Sequence, residues 1–209
     1  MNLEFAAITI VILVFSAILH EVAHGYVADR LGDPTARLLG RLTLNPIPHI
    51  DPLMSIVLPL LLLISGSPIL FGAAKPVPVD PFNLRDGRRD LALVALSGPI
   101  TNFLIAAIAA LVLKFGGPFI TSPLIEGIVY SIVQLNLLLG IFNLIPIPPL
   151  DGSKVFSLFL PEDSAKTYLS MGAYGMFIIF FLLLFPIGGF SLGSVVGNLL
   201  DFSLSLRGL

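Results

Sequence analysis

The residues best suited to chemistry are two histidines and a glutamate in the stretch ILHEVAHGYV, residues 18–27. His20 and His24 are four residues apart, so on a helix their side chains lie on one face and can bind one metal ion. Glu21 is offset by one residue, close enough to contact a metal-bound water without binding the metal itself. This H-E-x-x-H pattern predicts two zinc ligands and a general base.

These polar residues end a run that is otherwise soluble in lipid, FAAITIVILVFSAIL. A pair of structural histidines, hydrogen-bonded between helices, would also place polar groups there. Ionisable side chains within membrane spans are costly and usually functional, which favours the metal site.

The composition is that of an integral membrane protein. Of 209 residues, 56% are hydrophobic and 11% are charged, with a mean hydropathy of +1.00. Soluble domains carry about 25% charged residues. The formal net charge of −2 does not favour nucleic acid as a partner, and the chain has no cysteine, which excludes disulfides and thiolate metal ligands.

Several apolar runs approach or exceed the length of about 18 residues that a membrane-spanning helix needs. Five are strong and a sixth is weaker: 5–28, 53–73, 91–114, 124–145, 171–186 and, diluted by polar residues, 190–206. We therefore expect an all-α membrane protein, a polytopic helical bundle of five to six membrane segments. It should form a single integral membrane domain over 1–209, with its core at 5–156 and C-terminal helices at 157–209.

A catalytic zinc ion usually has three protein ligands and an open fourth position, so one ligand must come from elsewhere in the chain. The candidates are His49, Asp51, Asp151 and Asp201. Asp151 directly follows a predicted span, in a Pro-rich break that could aim its carboxylate back into the bundle. Taken alone, an ordinary aspartate turn at the membrane surface would explain it as well.

Three motifs in order, HEVAH, SGPITN and NLIPIPPLDG, resemble those of the site-2 protease family of intramembrane zinc metalloproteases. GRLTLNPIPHIDP and AKPVPVDP are similar to the small bacterial and archaeal branch of that family. The resemblance covers roughly residues 19–156. It implies one catalytic zinc ion, with Glu21 as the catalytic base and three metal ligands: His20, His24 and Asp151.

The resemblance also implies that Asn102 and Asn143 line the site, where their amides would stabilise the oxyanion. Interhelical hydrogen bonds that hold the bundle together are the alternative for both. The implied activity is that of a zinc metalloendopeptidase that hydrolyses peptide bonds within or near the transmembrane helices of membrane protein substrates, in regulated intramembrane proteolysis. The alternative is a non-proteolytic zinc-binding membrane protein, a metal carrier or a scaffold for other helices, which would have little use for Glu21.

The topology follows from bringing these residues to one depth. The spans 5–28 and 124–145 must point one way and the span 91–114 must point back, so 53–73 crosses the membrane zero or two times. We expect 53–73 to be a re-entrant or hairpin element, with an ordinary span as the alternative. Basic residues flank it on both sides: Arg30, Arg37, Arg41, Lys75, Arg85, Arg88 and Arg89.

The positive-inside rule places both basic loops in the cytosol. The amino terminus would then lie outside, and the active site would lie toward the cytosolic side of the cytoplasmic membrane. His49 and Asp51 would form a loop over the cytoplasmic mouth, where His49 is either a further contact near the metal or an ordinary loop residue. Asp201, in the last apolar run, is given no role.

Overall fold

The computed structural model describes residues 3–52, 57, 61, 64, 75–116, 122–184 and 198. Within these residues all regular structure is helical, which confirms the predicted all-α class for the described part. The α-helices are α1 (Leu3–Leu31), α2 (Thr35–Leu38), α3 (Gly87–Gly116), α4 (Pro123–Asn143), α5 (Asp151–Phe156), α6 (Glu162–Ser170) and α7 (Gly172–Leu184). Short 3₁₀ turns lie at Ile47–His49, Pro81–Asn83 and Ser157–Phe159.

Three of the predicted membrane spans are helices long and apolar enough to cross a bilayer. They are α1, α3 and α4, whose apolar stretches contain 25, 30 and 21 residues. The predicted total of five to six segments is not established. The runs 53–73 and 190–206 lie outside the described residues, apart from isolated positions. The described helix in the run 171–186 is α7, with 13 residues.

Contacts along α1 give the directions of its two neighbours. Two successive pairs join α1 to α3 in opposite order: His20 with Asn102, then His24 with Val94. Two pairs join α1 to α4 in the same order: Phe5 with Gly127, then Ser16 with Asn136. Helices α1 and α4 are therefore parallel and α3 is antiparallel to both, as the sequence argument requires.

The most extensive contact between helices is that of α3 with α4. Ala106, Ala109 and Ala110 of α3 form a buried cluster with Val133 and Leu137 of α4. Between helices in lipid, small side chains stabilise the pair by letting the backbones approach closely. Helix α1 packs against the α3–α4 pair, and its histidines face that pair.

The end of α1 and the start of α3 lie at the same end of the bundle. Asp33, just beyond α1, is fully buried, and its carboxylate accepts hydrogen bonds from the backbone amide of Asp80 at 2.7 Å and from the side chain of Asn83 at 3.2 Å. The backbone amide of Arg85 donates to the carbonyl of Leu31 at 3.3 Å. These bonds join the loop after α1 to the loop before α3.

Candidate metal centre

The three predicted metal ligands lie together inside the bundle. His20 and His24 of α1 and Asp151 of α5 are all buried, and their ligand atoms lie within 4.8 Å of one another. The Nε2 atoms of His20 and His24 are each 3.1 Å from Oδ2 of Asp151. Two histidines on one helix and a carboxylate 127 residues further along the chain thus form one site.

Asp151 reaches the histidines because the chain reverses sharply after α4. Helix α4 ends at Asn143, and the prolines of IPIPPLDG cannot continue it, since a proline lacks the amide hydrogen that a helix needs. The turn is so close that a Cβ atom on Gly152 would lie 2.1 Å from the carbonyl oxygen of Leu144. Only glycine fits at position 152, directly after the aspartate that reaches the histidines.

The carboxylate of Asp151 is held in its ionised form. Burial favours the neutral acid, but His20 and His24 donate hydrogen bonds to the carboxylate when their rings are protonated, and these bonds with the nearby positive charges outweigh burial and hold the pKa of Asp151 well below its usual range. Lys154, one turn along α5, contributes to this through an ion pair of 2.9 Å with Oδ1 of Asp151. That pair engages Oδ1 and leaves Oδ2 facing the histidines.

The backbone of α3 fixes the proton on His24. Nδ1 of His24 lies 2.8 Å from the carbonyl oxygen of Val94, and a carbonyl oxygen can only accept a hydrogen bond. Nδ1 therefore carries the hydrogen, and in the neutral imidazole the lone pair is on Nε2, which faces Asp151. A hydrogen bond of this kind on the second ring nitrogen is the usual companion of a metal-binding histidine.

His20 is held in the same way by a side chain of α3. Its Nδ1 lies 2.5 Å from Oδ1 of Asn102, and Asn102 is fully buried. With both Nδ1 atoms engaged as donors, two Nε2 lone pairs and a carboxylate oxygen converge on one point. Three electron-pair donors repel one another unless a cation lies between them, and two imidazoles with a carboxylate are a ligand set of catalytic zinc sites. The residues present fit Zn²⁺.

Gly98 of α3 makes room for both rings. A Cβ atom at this position would lie 2.5 Å from Nε2 of His20 and 2.5 Å from Cε1 of His24. The backbone of α3 thus passes directly beside the ligand atoms, which only a residue without a side chain allows.

Glu21 lies beside an extended segment before α3. Its Oε2 accepts a hydrogen bond of 2.7 Å from the backbone amide of Val77. Pro76 and Pro78 have no amide hydrogen, so Val77 supplies the single backbone donor within the PVP sequence. The half-buried carboxylate is thereby given a fixed orientation next to the two histidines on α1.

Comparison with known proteins identifies the family of this chain. The profile of peptidase family M50 matches residues 120–186. "Putative zinc metalloprotease YwhC" of Bacillus subtilis is 36% identical, over 94% of this chain and 89% of the relative. "Putative zinc metalloprotease Rip2" of Mycobacterium tuberculosis is 30% identical, over 96% of this chain and 77% of the relative. This chain belongs to peptidase family M50, the site-2 protease family.

The similarity extends to an archaeal M50 protein. "Zinc metalloprotease MJ0392" of Methanocaldococcus jannaschii is 29% identical over 77% of this chain and 37% of that protein. No solved structure matches the chain at the significance that these relatives reach. The names of the M50 relatives agree with the ligand set, which fits Zn²⁺.

The other candidate ligands do not join the cluster. Within the described residues, the group that could hold a metal contains neither His49 nor Asp51, and Asp201 lies outside the description. His49 is buried, and its Nε2 lies 2.9 Å from the carbonyl oxygen of Thr43. Its backbone carbonyl also accepts from the amide of Lys75 at 2.8 Å. His49 thus connects its own loop, through the hydrogen bond to Lys75, to the segment that contains Val77.

The two predicted asparagines lie in different surroundings. Asn102 contacts His20 directly and donates from Nδ2 to Asn136 at 2.9 Å. The Nδ2 of Asn143 donates to the carbonyl oxygen of Leu139, in its own helix, at 3.0 Å. Their assignment as oxyanion donors stays a prediction.

Sequence reasoning missed Asn136 and Gly98. Asn136 is fully buried in the middle of the apolar run 124–145, and a polar amide at that depth was a visible signal, since polar groups inside spans need a partner. Gly98 lies within the SGPITN motif, but a glycine in a helix has no pattern that reveals what lies opposite it.

Proposed function

We propose that this protein is an intramembrane zinc metalloendopeptidase. It hydrolyses peptide bonds within or near the transmembrane helices of membrane protein substrates, as in regulated intramembrane proteolysis. One observation carries the proposal: two histidines of an H-E-x-x-H motif and a distant aspartate converge within 4.8 Å, in a bundle whose helices are long and apolar enough to cross a membrane.

His20, His24 and Asp151 would hold the zinc ion, which when bound polarises a scissile carbonyl and lowers the pKa of water. Glu21 is the catalytic base. It takes a proton from the attacking water and later delivers it to the leaving amine. The Val77 amide occupies Oε2 of Glu21, so we assign the proton to Oε1. This bond keeps the carboxylate from rotating away between the two transfers.

The substrate must present an unwound peptide bond. In a helix, the amide of each residue is hydrogen-bonded within the segment, which is the condition for stability in lipid. A peptide bond in that state is not free to receive a nucleophile. We therefore expect substrates with helix-breaking residues, such as Gly or Pro, close to the cleaved bond.

Replacing Asp151 by Ala should remove or sharply weaken zinc binding. The native chain should hold one zinc ion, because two imidazoles and one carboxylate complete the protein part of a catalytic zinc site. Loss of the carboxylate should lower the affinity by more than the roughly 10- to 100-fold that follows loss of a residue that only supports a ligand. Metal content and competition with a chelator, in the native chain and the variant, measure this.

Asp163→Ala is the matched control, since Asp163 is an exposed carboxylate on α6. It should leave zinc content unchanged. Full zinc affinity in Asp151→Ala would make another residue the third ligand. A freshly purified, folded native chain that binds no zinc would favour a non-proteolytic membrane protein instead.

We also propose that the metal centre lies toward the cytosolic side, with the amino terminus outside. Arg30, Arg37, Arg85 and Arg89 are exposed at the end of the bundle that carries the metal ligands. Basic residues next to spans favour the cytosol. His49 and Lys75 are hydrogen-bonded to each other on either side of the run 53–73. Their contact supports an even number of membrane crossings for that run, as a re-entrant or hairpin element would make.

Single cysteines test this topology, because the chain has none of its own. Leu39→Cys, after α1, and Asp86→Cys, before α3, should label from the cytosolic side with a membrane-impermeant maleimide. Ser122→Cys, between α3 and α4, should label from the opposite side. Labelling of Leu39→Cys and Asp86→Cys from opposite sides would establish an odd number of crossings between them. Labelling of both from the outside would reverse the orientation.

A further inference from the structure

A chain of buried polar side chains runs from His20 away from the metal ligands. Oδ1 of Asn102 lies 2.5 Å from Nδ1 of His20, and Nδ2 of Asn102 donates to Oδ1 of Asn136 at 2.9 Å. Nδ2 of Asn136 donates to Oγ of Ser16 and to the carbonyl oxygen of Ile132, each at 2.9 Å. The chain passes from α1 to α3, to α4 and back to α1.

We propose that Asn136 is a positioning residue for the metal ligand His20. It acts through Asn102, whose side-chain amide it holds in the one orientation that leaves the Nε2 lone pair of His20 facing the metal. Asn136 touches neither the metal ligands nor the reacting atoms, and its effect on the site is transmitted by a single hydrogen bond. This inference rests on the proposed metal site.

The carbonyl of Ile132 sets the donor and the acceptor of each hydrogen bond between Asn136 and His20. A backbone carbonyl only accepts, so Nδ2 of Asn136 must face Ile132 and Oδ1 must face Asn102. An oxygen facing Asn102 requires a donor there, which places Nδ2 of Asn102 toward Asn136. Oδ1 of Asn102 is then left for His20.

His20 must therefore donate from Nδ1, and its lone pair lies on Nε2. If the amide of Asn102 were turned over, its Nδ2 would face His20, and the favourable tautomer would carry the hydrogen on Nε2. A ring nitrogen that carries a hydrogen cannot bind a metal ion. The two ends of the Asn102 amide have nearly the same shape, but which end faces His20 decides whether Nε2 of His20 can bind the metal.

The burial of these hydrogen-bonded side chains makes the turned orientation of the Asn102 amide unfavourable. Asn102 and Asn136 are both fully buried, and Ser16 is 4% exposed. A polar group left without a partner in such surroundings costs about 1–3 kcal/mol. A turned Asn102 would face Asn136 with oxygen against oxygen, so the fully bonded arrangement is the one that persists.

The test is a double-mutant cycle on zinc affinity in the purified full-length chain. Asn136→Leu keeps the approximate volume and removes the hydrogen bonds, and it should weaken zinc binding by about 10- to 100-fold, as loss of a supporting partner does at other metal sites. Asn102→Ala should weaken it at least as much. Because Asn136 acts through Asn102, the double variant should bind zinc no more weakly than Asn102→Ala alone.

Ser131→Ala is the matched control on the same helix. Ser131 is buried, and its hydroxyl donates to the carbonyl of Gly127 in its own helix at 2.8 Å, so its loss should leave zinc affinity unchanged. The visible spectrum of the Co²⁺-substituted protein gives a second measurement. Asn136→Leu should change the cobalt bands and Ser131→Ala should not, whereas a change in overall stability alone would leave the bands in place.

Unchanged zinc affinity in Asn136→Leu, or losses that add in the double variant, would overturn the proposal. If Asn136→Leu does not fold, Ser16→Ala removes one of the two acceptors of Asn136 and should give a smaller loss that also disappears in the Asn102→Ala background. Loss of affinity that persists there would equally refute it. Native protein that binds no zinc would instead refute the proposed function, so the two failures are distinguishable.

Discussion

Glu21→Gln should lower the rate of peptide cleavage by about 10²- to 10⁴-fold, the contribution that a positioned general base makes. Zinc content should stay at the native level, since the three proposed ligands are untouched. Glutamine has nearly the same shape, and its Oε1 can still accept from the Val77 amide. It cannot take a proton from water, so chemistry is lost while the local structure is retained.

The measurement uses protein reconstituted in liposomes with a reporter whose transmembrane helix contains a Gly-Pro interruption. The matched control is Glu162→Gln, which changes an exposed carboxylate paired with Lys166 at 2.9 Å on α6. It should cleave at the native rate. Retained cleavage in Glu21→Gln would refute the assigned base, and loss of zinc together with cleavage would make Glu21 part of the metal-binding structure.

The sequence predicted those features that depend on local spacing. Two histidines four residues apart share a helix face wherever the helix lies, and a run of 20 or more apolar residues predicts a span without knowledge of its neighbours. Asp151 is different, because its approach to the histidines depends on a turn between α4 and α5. The residues alone left it among several candidates, and the family resemblance selected it.

The direction of the spans was also predictable, because it follows from requiring distant residues to meet at one depth. The details of the hydrogen bonds were not. Asn136 and Val94 bind their partners through contacts between helices, and the sequence contains no signal for which residue faces which. Every residue has a backbone carbonyl, so residue types do not predict that the carbonyl of Val94 is the one that binds His24.

The role of Arg41 could not be predicted from the number of basic residues in its loop. Arg41 contributes to the basic loop after α1, but the residue is only 8% exposed, and its guanidinium donates to the carbonyls of Lys75 and Pro76 at 2.8 Å and 3.3 Å. It holds the segment that orients Glu21. A sequence gives the number of positive charges near a membrane but not which of them are used inside the protein.

Gly98→Ala should abolish tight zinc binding and lower cleavage by about 10²-fold or more, since a displacement of about 1 Å can cost that much in activity. The added Cβ would lie 2.5 Å from Nε2 of His20, a distance that real Cβ atoms essentially never show. Either the two rings must rotate or α3 must move away from α1. Both changes separate the Nδ1 atoms from the acceptors on α3 that keep the Nε2 atoms aimed at the metal.

The same substitution should not unfold the protein, because alanine is about 1 kcal/mol better than glycine inside a helix. Gly127→Ala is the matched control: its Cβ would meet the ring of Phe5 at 3.4 Å, an ordinary contact, so zinc affinity and activity should stay native. Competition with a chelator and thermal unfolding, measured on both variants, separate the two effects. Native zinc affinity in Gly98→Ala would mean that α3 and α1 can move apart without disturbing the ligands, and the close approach of α3 would then have no part in building the site.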